Sequence, residues 1–430
     1  FYCAGEIPMK VKDLLQKGFW TLLARSLGAG LMLLMAILFS RWLGVKDFGL
    51  FSLGLTVMTV FGVIARWGTD QVILKKAGVY WIDRPDIAKG HIVSIIKIVS
   101  FVSACLTFVI VVFHEDIAVS VFNKPEFAHV LLWFGLMTIP FSINYTIAES
   151  YKGVGKPVIS SYLQNVVTPF MAIFSGMALF HIEMAELPYI VQSFGLGVVI
   201  ALICSLLLWK GVFSNIKKTN ISLKNPFKEG WPMLLITSGA LVMAWSDMLI
   251  LGVLGSTEEL GIYSAASRTA MVSTLFLMAM NSITAPKYAY LYKAGNINEL
   301  KRLALNSTKI LIVMALFPTF ILLVYPEWVM SLYGYEFISG APILIVLAIG
   351  QFVNVASGSV AYLLIMTGNE KCMRNIVFLS ASINIFLSLA MFESIGVIGV
   401  AISTSISISI SNILGLYFIK KNVYKRQIII

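Results

Sequence analysis

Four ionisable side chains interrupt long apolar runs: Arg25, Lys97, Asp247 and Arg268. A charge inside hydrocarbon costs about 2.5–3.5 kcal/mol on insertion scales, so each needs a partner, water or a route to the interface. Arg25 lies about six residues into the first run, roughly 9 Å at 1.5 Å per residue, where a cavity-facing role and snorkelling both fit. Lys97 is nearer the end of its run, which favours snorkelling. Asp247 and Arg268 stand at similar depth on consecutive antiparallel runs. They can pair as an ion bridge, or Asp247 can serve as a proton- or sodium-coupling carboxylate and Arg268 as a substrate anchor. Three positive charges against one negative suit an anionic ligand better than a cationic one.

Other chemistry has little support. The four cysteines, Cys3, Cys105, Cys204 and Cys372, are scattered, and the four histidines form no metal-binding pattern. Gly153-Val154-Gly155-Lys156-Pro157 lacks the earlier Gly and the Ser or Thr of a nucleoside-triphosphate loop. The connections opposite the basic ones are mostly under about 15 residues, too short for a catalytic domain.

The elements that hold these charges must be membrane helices. The 430 residues are 58% hydrophobic and 12% charged, with mean hydropathy +0.87, half the charge of an ordinary soluble chain. Apolar stretches of spanning length occur at 19–40, 48–65, 92–113, 127–148, 158–180, 188–209, 231–254, 261–285, 310–325, 341–366, 375–392 and 395–419. The ninth is short, and Trp328 to Tyr333 either extends it or lies along the interface. Ile402 to Ser411 alternates Ser and Ile like a strand, but a lone strand leaves its backbone unsatisfied in lipid, so a helix is predicted.

Of the 32 Lys and Arg, 26 fall on the side shared by both termini, three (Arg41, Lys46, Lys124) on the other, and three within spans. This asymmetry predicts an even number of helices with both termini cytoplasmic. It also assigns most of the net charge of +11 to topology and excludes nucleic acid as the partner it would otherwise suggest. The predicted organisation is a cytoplasmic N-terminal segment (1–18), a six-helix bundle (19–209), a basic cytoplasmic linker (210–230), a second six-helix bundle (231–419) and a cytoplasmic tail (420–430). Residues Phe1 to Pro8 precede Met9 and carry no functional weight.

The halves repeat. Lys17-Gly18-Phe19-Trp20 corresponds to Lys228-Glu229-Gly230-Trp231, Leu43-Gly44 to Leu254-Gly255, and Phe48-Gly49-Leu50-Phe51-Ser52 to Leu260-Gly261-Ile262-Tyr263-Ser264. Glu126-Phe127 likewise corresponds to Glu336-Phe337. With six spans each, the halves start on the same side, predicting a parallel repeat about an axis along the membrane normal. Arg25, Asp247 and Arg268 are not duplicated by it.

Arg41-Trp42-Leu43-Gly44 with Phe48-Gly49-Leu50-Phe51-Ser52 resembles the first-hairpin signature of polysaccharide-unit flippases of the multidrug/oligosaccharidyl-lipid/polysaccharide exporter superfamily. Leu260-Gly261-Ile262-Tyr263-Ser264-Ala265-Ala266, Pro286, Tyr335-Glu336-Phe337 and Lys152-Gly153-Val154-Gly155-Lys156-Pro157 resemble its later motifs. The resemblance covers nearly the whole chain. It implies an all-α polytopic membrane protein of about twelve helices that moves an undecaprenyl-pyrophosphate-linked O-antigen or capsule unit across a bacterial inner membrane by alternating access. It further implies no enzyme activity, no cofactor beyond a coupling proton or sodium ion, and as partners the lipid-linked oligosaccharide, the bilayer and polysaccharide polymerase machinery. The expected roles are Arg25, with Lys97, on the pyrophosphate, and Arg268 with Asp247 as an outer gate or coupling site. The alternatives are a multidrug or cation antiporter of the same superfamily, a major-facilitator sugar transporter, a membrane-embedded polysaccharide polymerase and a lipid-linked peptidoglycan precursor flippase.

Overall fold

The computed structural model describes residues 11–214, 216 and 226–424. The predicted N-terminal extension, the centre of the basic linker and the end of the tail lie outside the described residues. Every regular element among the described residues is helical: α1 (Val11–Arg66), α2 (Thr69–Tyr80), α3 (Pro85–Asp116), α4 (Phe127–Gly153), α5 (Pro157–Asn165), α6 (Val167–His181), α7 (Leu187–Phe213), α8 (Pro226–Leu254), α9 (Thr257–Ala270), α10 (Thr274–Lys293), α11 (Ile297–Val324), α12 (Pro326–Ser331), α13 (Ala341–Ala356), α14 (Val360–Met366), α15 (Glu370–Ile395) and α16 (Val397–Phe418).

Among the described residues, nine helices are long and apolar enough to cross a membrane. The first of these is two passes. Gly44 adopts φ 75°, ψ 178° within α1, a region that only glycine enters without strain. The Phe39 and Phe51 rings then meet at 5.4 Å, whereas twelve residues of straight helix would hold them about 18 Å apart. The chain therefore folds back as a hairpin. Two further passes are α8 and the α9–α10 pair, the latter divided by a 3-10 turn at Met271–Ser273 and carrying Glu258, Glu259 and Arg268 on its first helix. All twelve predicted spans are thus helical.

The boundaries differ where charge begins before the helix ends. The third pass starts at Pro85, with proline at its first turn, and the ninth at Ile297 rather than near 310. The ninth is therefore not short; Trp328 sits exposed on the separate short helix α12. The Ser–Ile stretch is helical, as predicted: Ser403 Oγ donates to Gly399 O at 2.8 Å and Ser405 Oγ to Val346 O on α13 at 2.9 Å.

The basic side of the molecule is termed inner and the opposite side outer. The extensive helix contacts fall within α1–α7 or within α8–α16, except that α1 packs on α8, α9 and α10, and α2 on α8. The first hairpin is therefore the main bridge between halves.

Candidate functional site

At the outer end, the second arm of α1 crosses α9 at repeat-equivalent positions. A Cβ on Gly49 would lie 2.0 Å from Thr257 O, and one on Gly261 would lie 2.1 Å from Val45 O. Each glycine admits the other helix's carbonyl, the close approach that small residues permit in membranes. One turn inward, the equivalent serines meet: Ser264 Oγ donates to Ser52 Oγ at 2.9 Å. Equivalent residues of the two motifs thus face each other, which gives the repeated Gly-x-x-Ser motif a structural role.

The three outer cations all close this seam. Arg41 Nε donates to Leu332 O at 2.7 Å, and Lys46 pairs with Glu258 at 3.2 Å in an exposed contact. Lys124 is buried, and its Nζ donates to Gly252 O and Gly255 O, both at 2.7 Å, at the end of α8. Burial lowers the Lys124 pKa, opposed by Glu126 and Glu259. From the other half, Glu336 Oε2 accepts from Val45 N at 3.2 Å and Tyr333 O from Ser40 Oγ at 3.0 Å.

The inner end is different. A cavity of about 360 Å³ lies between the first arm of α1, the α4–α5 turn and α10, lined by Arg25, Ser26, Lys152, Pro157, Leu275 and Met278 among others. Arg25 is exposed on this wall. Behind it is a buried charged cluster that hydropathy reading assigned to topology or passed over. Lys152 Nζ contacts Glu149 Oε1, which also accepts from Gln164 Nε2 at 2.9 Å. Arg66 stacks 4.1 Å from the Tyr145 ring centroid and faces Asp70 at 3.9 Å. Burial raises the Asp70 pKa, with Arg66 opposing. Arg66 and Glu149 are 4% and 3% exposed. Lys97 does not join the cavity lining: it is exposed on α3, while Ile92, Ile95, Val99 and Ser103 form the packed face.

Asp247 occupies a third place, inside the second half. Its carboxylate accepts from Tyr263 Oη at 2.6 Å, Thr404 Oγ1 at 2.7 Å and Asn384 Nδ2 at 2.8 Å. These donors come from α9, α16 and α15. Among the described residues no ion pair joins Asp247 to Arg268. The alternative of an Asp247–Arg268 ion bridge is therefore corrected: Arg268 Nε instead donates to Ser264 Oγ at 3.2 Å, directly beneath the outer seam. Neutral donors satisfy the carboxylate's lone pairs, and among the described residues no cation pairs with it in this buried site. Asn384 was legible as an intramembrane polar residue; Tyr263 lay hidden in the repeat motif and Thr404 in the Ser–Ile run.

Comparison with known proteins agrees with this architecture. The family model described as "Polysaccharide biosynthesis protein" matches residues 14–287, and the MatE model matches residues 232–390. An uncharacterized membrane protein of Methanocaldococcus jannaschii is 22% identical over 96% of this chain and 85% of its own. A Haloferax volcanii protein described as "Probable low-salt glycan biosynthesis flippase Agl15" is 21% identical over 95% of this chain and 84% of its own. Among solved structures, the lipid II flippase MurJ in an inward closed conformation superposes with a TM-score of 0.74 at 16% identity, covering 94% of this chain and 87% of that one. Since the first match spans well over half of this chain, the chain is a multi-pass membrane protein that belongs to the polysaccharide biosynthesis protein family.

Proposed function

We propose that the protein flips a polyprenyl-pyrophosphate-linked oligosaccharide from the cytoplasmic to the outer leaflet by alternating access, as a transporter and not an enzyme. In its finest form the cargo is an undecaprenyl-linked O-antigen or capsule unit in a bacterial inner membrane, delivered to polymerase machinery. The observation that carries the reading is the inner cavity between the halves, with Arg25 and Lys152 on its wall. A pyrophosphate needs such cations, its sugars need a water-filled chamber, and the prenyl tail can stay in lipid. Arg25 engages the pyrophosphate. Lys97 snorkels and contributes to topology.

Arg268 gates the passage below the outer seam. Asp247 is the coupling group: its carboxylate, with the Tyr263 and Thr404 hydroxyl oxygens beside it, suits a proton or a sodium ion, a hard cation that prefers oxygen ligands. The charge of that bound ion compensates a carboxylate that otherwise has only neutral donors.

The test is reconstitution in liposomes with a labelled lipid-linked oligosaccharide, scoring its exposure in the opposite leaflet under imposed proton or sodium gradients. Wild type should flip and respond to one gradient; Asp247→Asn should flip slowly and respond to neither. An Asp247→Asn protein with an unchanged gradient response overturns the coupling role, and a wild type inert toward lipid-linked glycans overturns the cargo. The MatE match over the second half favours a multidrug antiporter as the second reading. That reading predicts gradient-driven export of cationic dyes, for which a cavity wall bearing Arg25 and Lys152 is poorly suited.

A further inference from the structure

We infer that Lys152 is a second ligand for the anionic headgroup, masked in the empty protein by Glu149, and that loading transfers the Glu149 carboxylate from Lys152 to Arg66. This rests on the flippase reading of the inner cavity.

An exposed ion pair three residues apart on a helix is ordinarily worth little. Here the two partners differ in setting. Lys152 forms part of the cavity wall, while Glu149 is buried behind it. An anion entering beside Arg25 therefore meets an ammonium that already holds a carboxylate. Stripping Lys152 away would normally leave a buried charge uncompensated, at a cost that would forbid the exchange.

Arg66 removes that obstacle. Its Nε and Nη1 are buried and have no hydrogen-bond partner, since Asp70 stands beyond hydrogen-bond distance at 3.9 Å. Buried guanidinium donors are rarely left without an acceptor. Arg66 stacks on Tyr145, and Tyr145 and Glu149 are four apart on α4, on one helix face. Glu149 is also within electrostatic reach of Arg66. Gln164 can hold the carboxylate through the movement, because its amide already donates to it. The charged and titratable groups facing Glu149 are thus Arg66, Asp70, Tyr145 and Lys152, with Arg25 reaching Tyr145 across the cavity.

The exchange makes Glu149 an internal competitor. It occupies Lys152 when no anion is present and yields to a pyrophosphate, whose higher charge and multiple acceptor oxygens outcompete a single carboxylate. Weakly acidic or neutral lipids cannot displace it, so the device discriminates among headgroups by charge.

The experiment measures binding of farnesyl pyrophosphate, with farnesyl monophosphate as comparison, to the full chain in lipid nanodiscs. Glu149→Gln should bind the pyrophosphate about five- to tenfold more tightly and narrow the preference over the monophosphate. Lys152→Met should weaken binding about tenfold, and in the Lys152→Met/Glu149→Gln double variant the gain from the second change should vanish. Arg66→Gln should weaken binding while Lys152 is present. Glu149→Asp keeps the buried charge but shortens its reach, and should also tighten binding; it carries the test if Glu149→Gln fails to fold. Wild-type binding with unchanged or weaker affinity in the folded Glu149 variant, or an undiminished gain in the double variant, overturns the exchange. No binding of either probe by wild type and Arg25→Gln alike overturns the headgroup reading beneath it.

Discussion

The two ends of the contact between halves are made of opposite materials. At the outer end, Gly49 and Gly261 bring backbones together, Ser52 meets Ser264, and Arg41, Lys46 and Lys124 all find acceptors across the seam. At the inner end, the first arm of α1 and α10 stand apart around a cavity, with Arg25 on its wall. Basic residues thus serve as clasps on one side and line a cavity on the other. The difference is one of acceptors. Arg41 and Lys124 meet helix-end carbonyls, which carry partial negative charge, and Lys46 meets the Glu258 carboxylate, whereas Arg25 faces the inner cavity.

Predictions that break the contrast begin at the helix crossing. Gly49→Leu places side-chain atoms where Thr257 O and Gly261 N now lie, so the outer seam must part. Flipping should be abolished and a Ser264→Cys thiol, placed one turn below the crossing, should become reactive, as read by maleimide labelling of intact vesicles. Next, Lys124→Met leaves Gly252 O and Gly255 O without their donor. Hydrogen bonds to charged groups are worth about 1.5–3 kcal/mol, so the closed-outside population should fall about 10- to 150-fold relative to the open one. The same labelling should rise accordingly.

Changes that sharpen the contrast are smaller. Arg25→Gln should slow flipping about tenfold, roughly the 1.4 kcal/mol of one modest charged contact, with no change in outer labelling. Equal effects on both readouts would show that the ends are not separable. Lys46→Ala should change labelling least, because an exposed pair contributes about 0–1 kcal/mol. Its small effect should disappear when salt is raised, since exposed charges are screened.

Much of this was legible in the residues. Charge placement and apolar length predict the passes, and the paired motifs at Gly49 and Gly261 predict a parallel repeat. What the motifs did not disclose is that they touch each other, because repeat symmetry carries no contact information until the axis is placed. Asp247 and Arg25 stood out because charge in hydrocarbon is costly. Arg66, Glu149 and Lys152 did not, since they lie at helix ends, where charge is ordinary in sequence and burial depends on neighbouring helices. Arg41, Lys46 and Lys124 looked like exceptions to the topology rule, yet each has a partner in the opposite half. The ion-bridge alternative for Asp247 and Arg268 fails for a local reason: Tyr263, Asn384 and Thr404 reach the carboxylate, and Ser264 takes the guanidinium.

Alternating access requires the clasp to open as the cavity closes. Spin labels at exposed Glu183 and Tyr335 report the outer end of the two halves, and labels at exposed Lys156 and Ala294 report the inner end. Distances measured by pulsed electron resonance in nanodiscs, with and without a polyprenyl-pyrophosphate-linked oligosaccharide, test the account directly. The account predicts a longer outer distance and a shorter inner one in a substrate-dependent population. Unchanged distances in a preparation that flips the same substrate would contradict it.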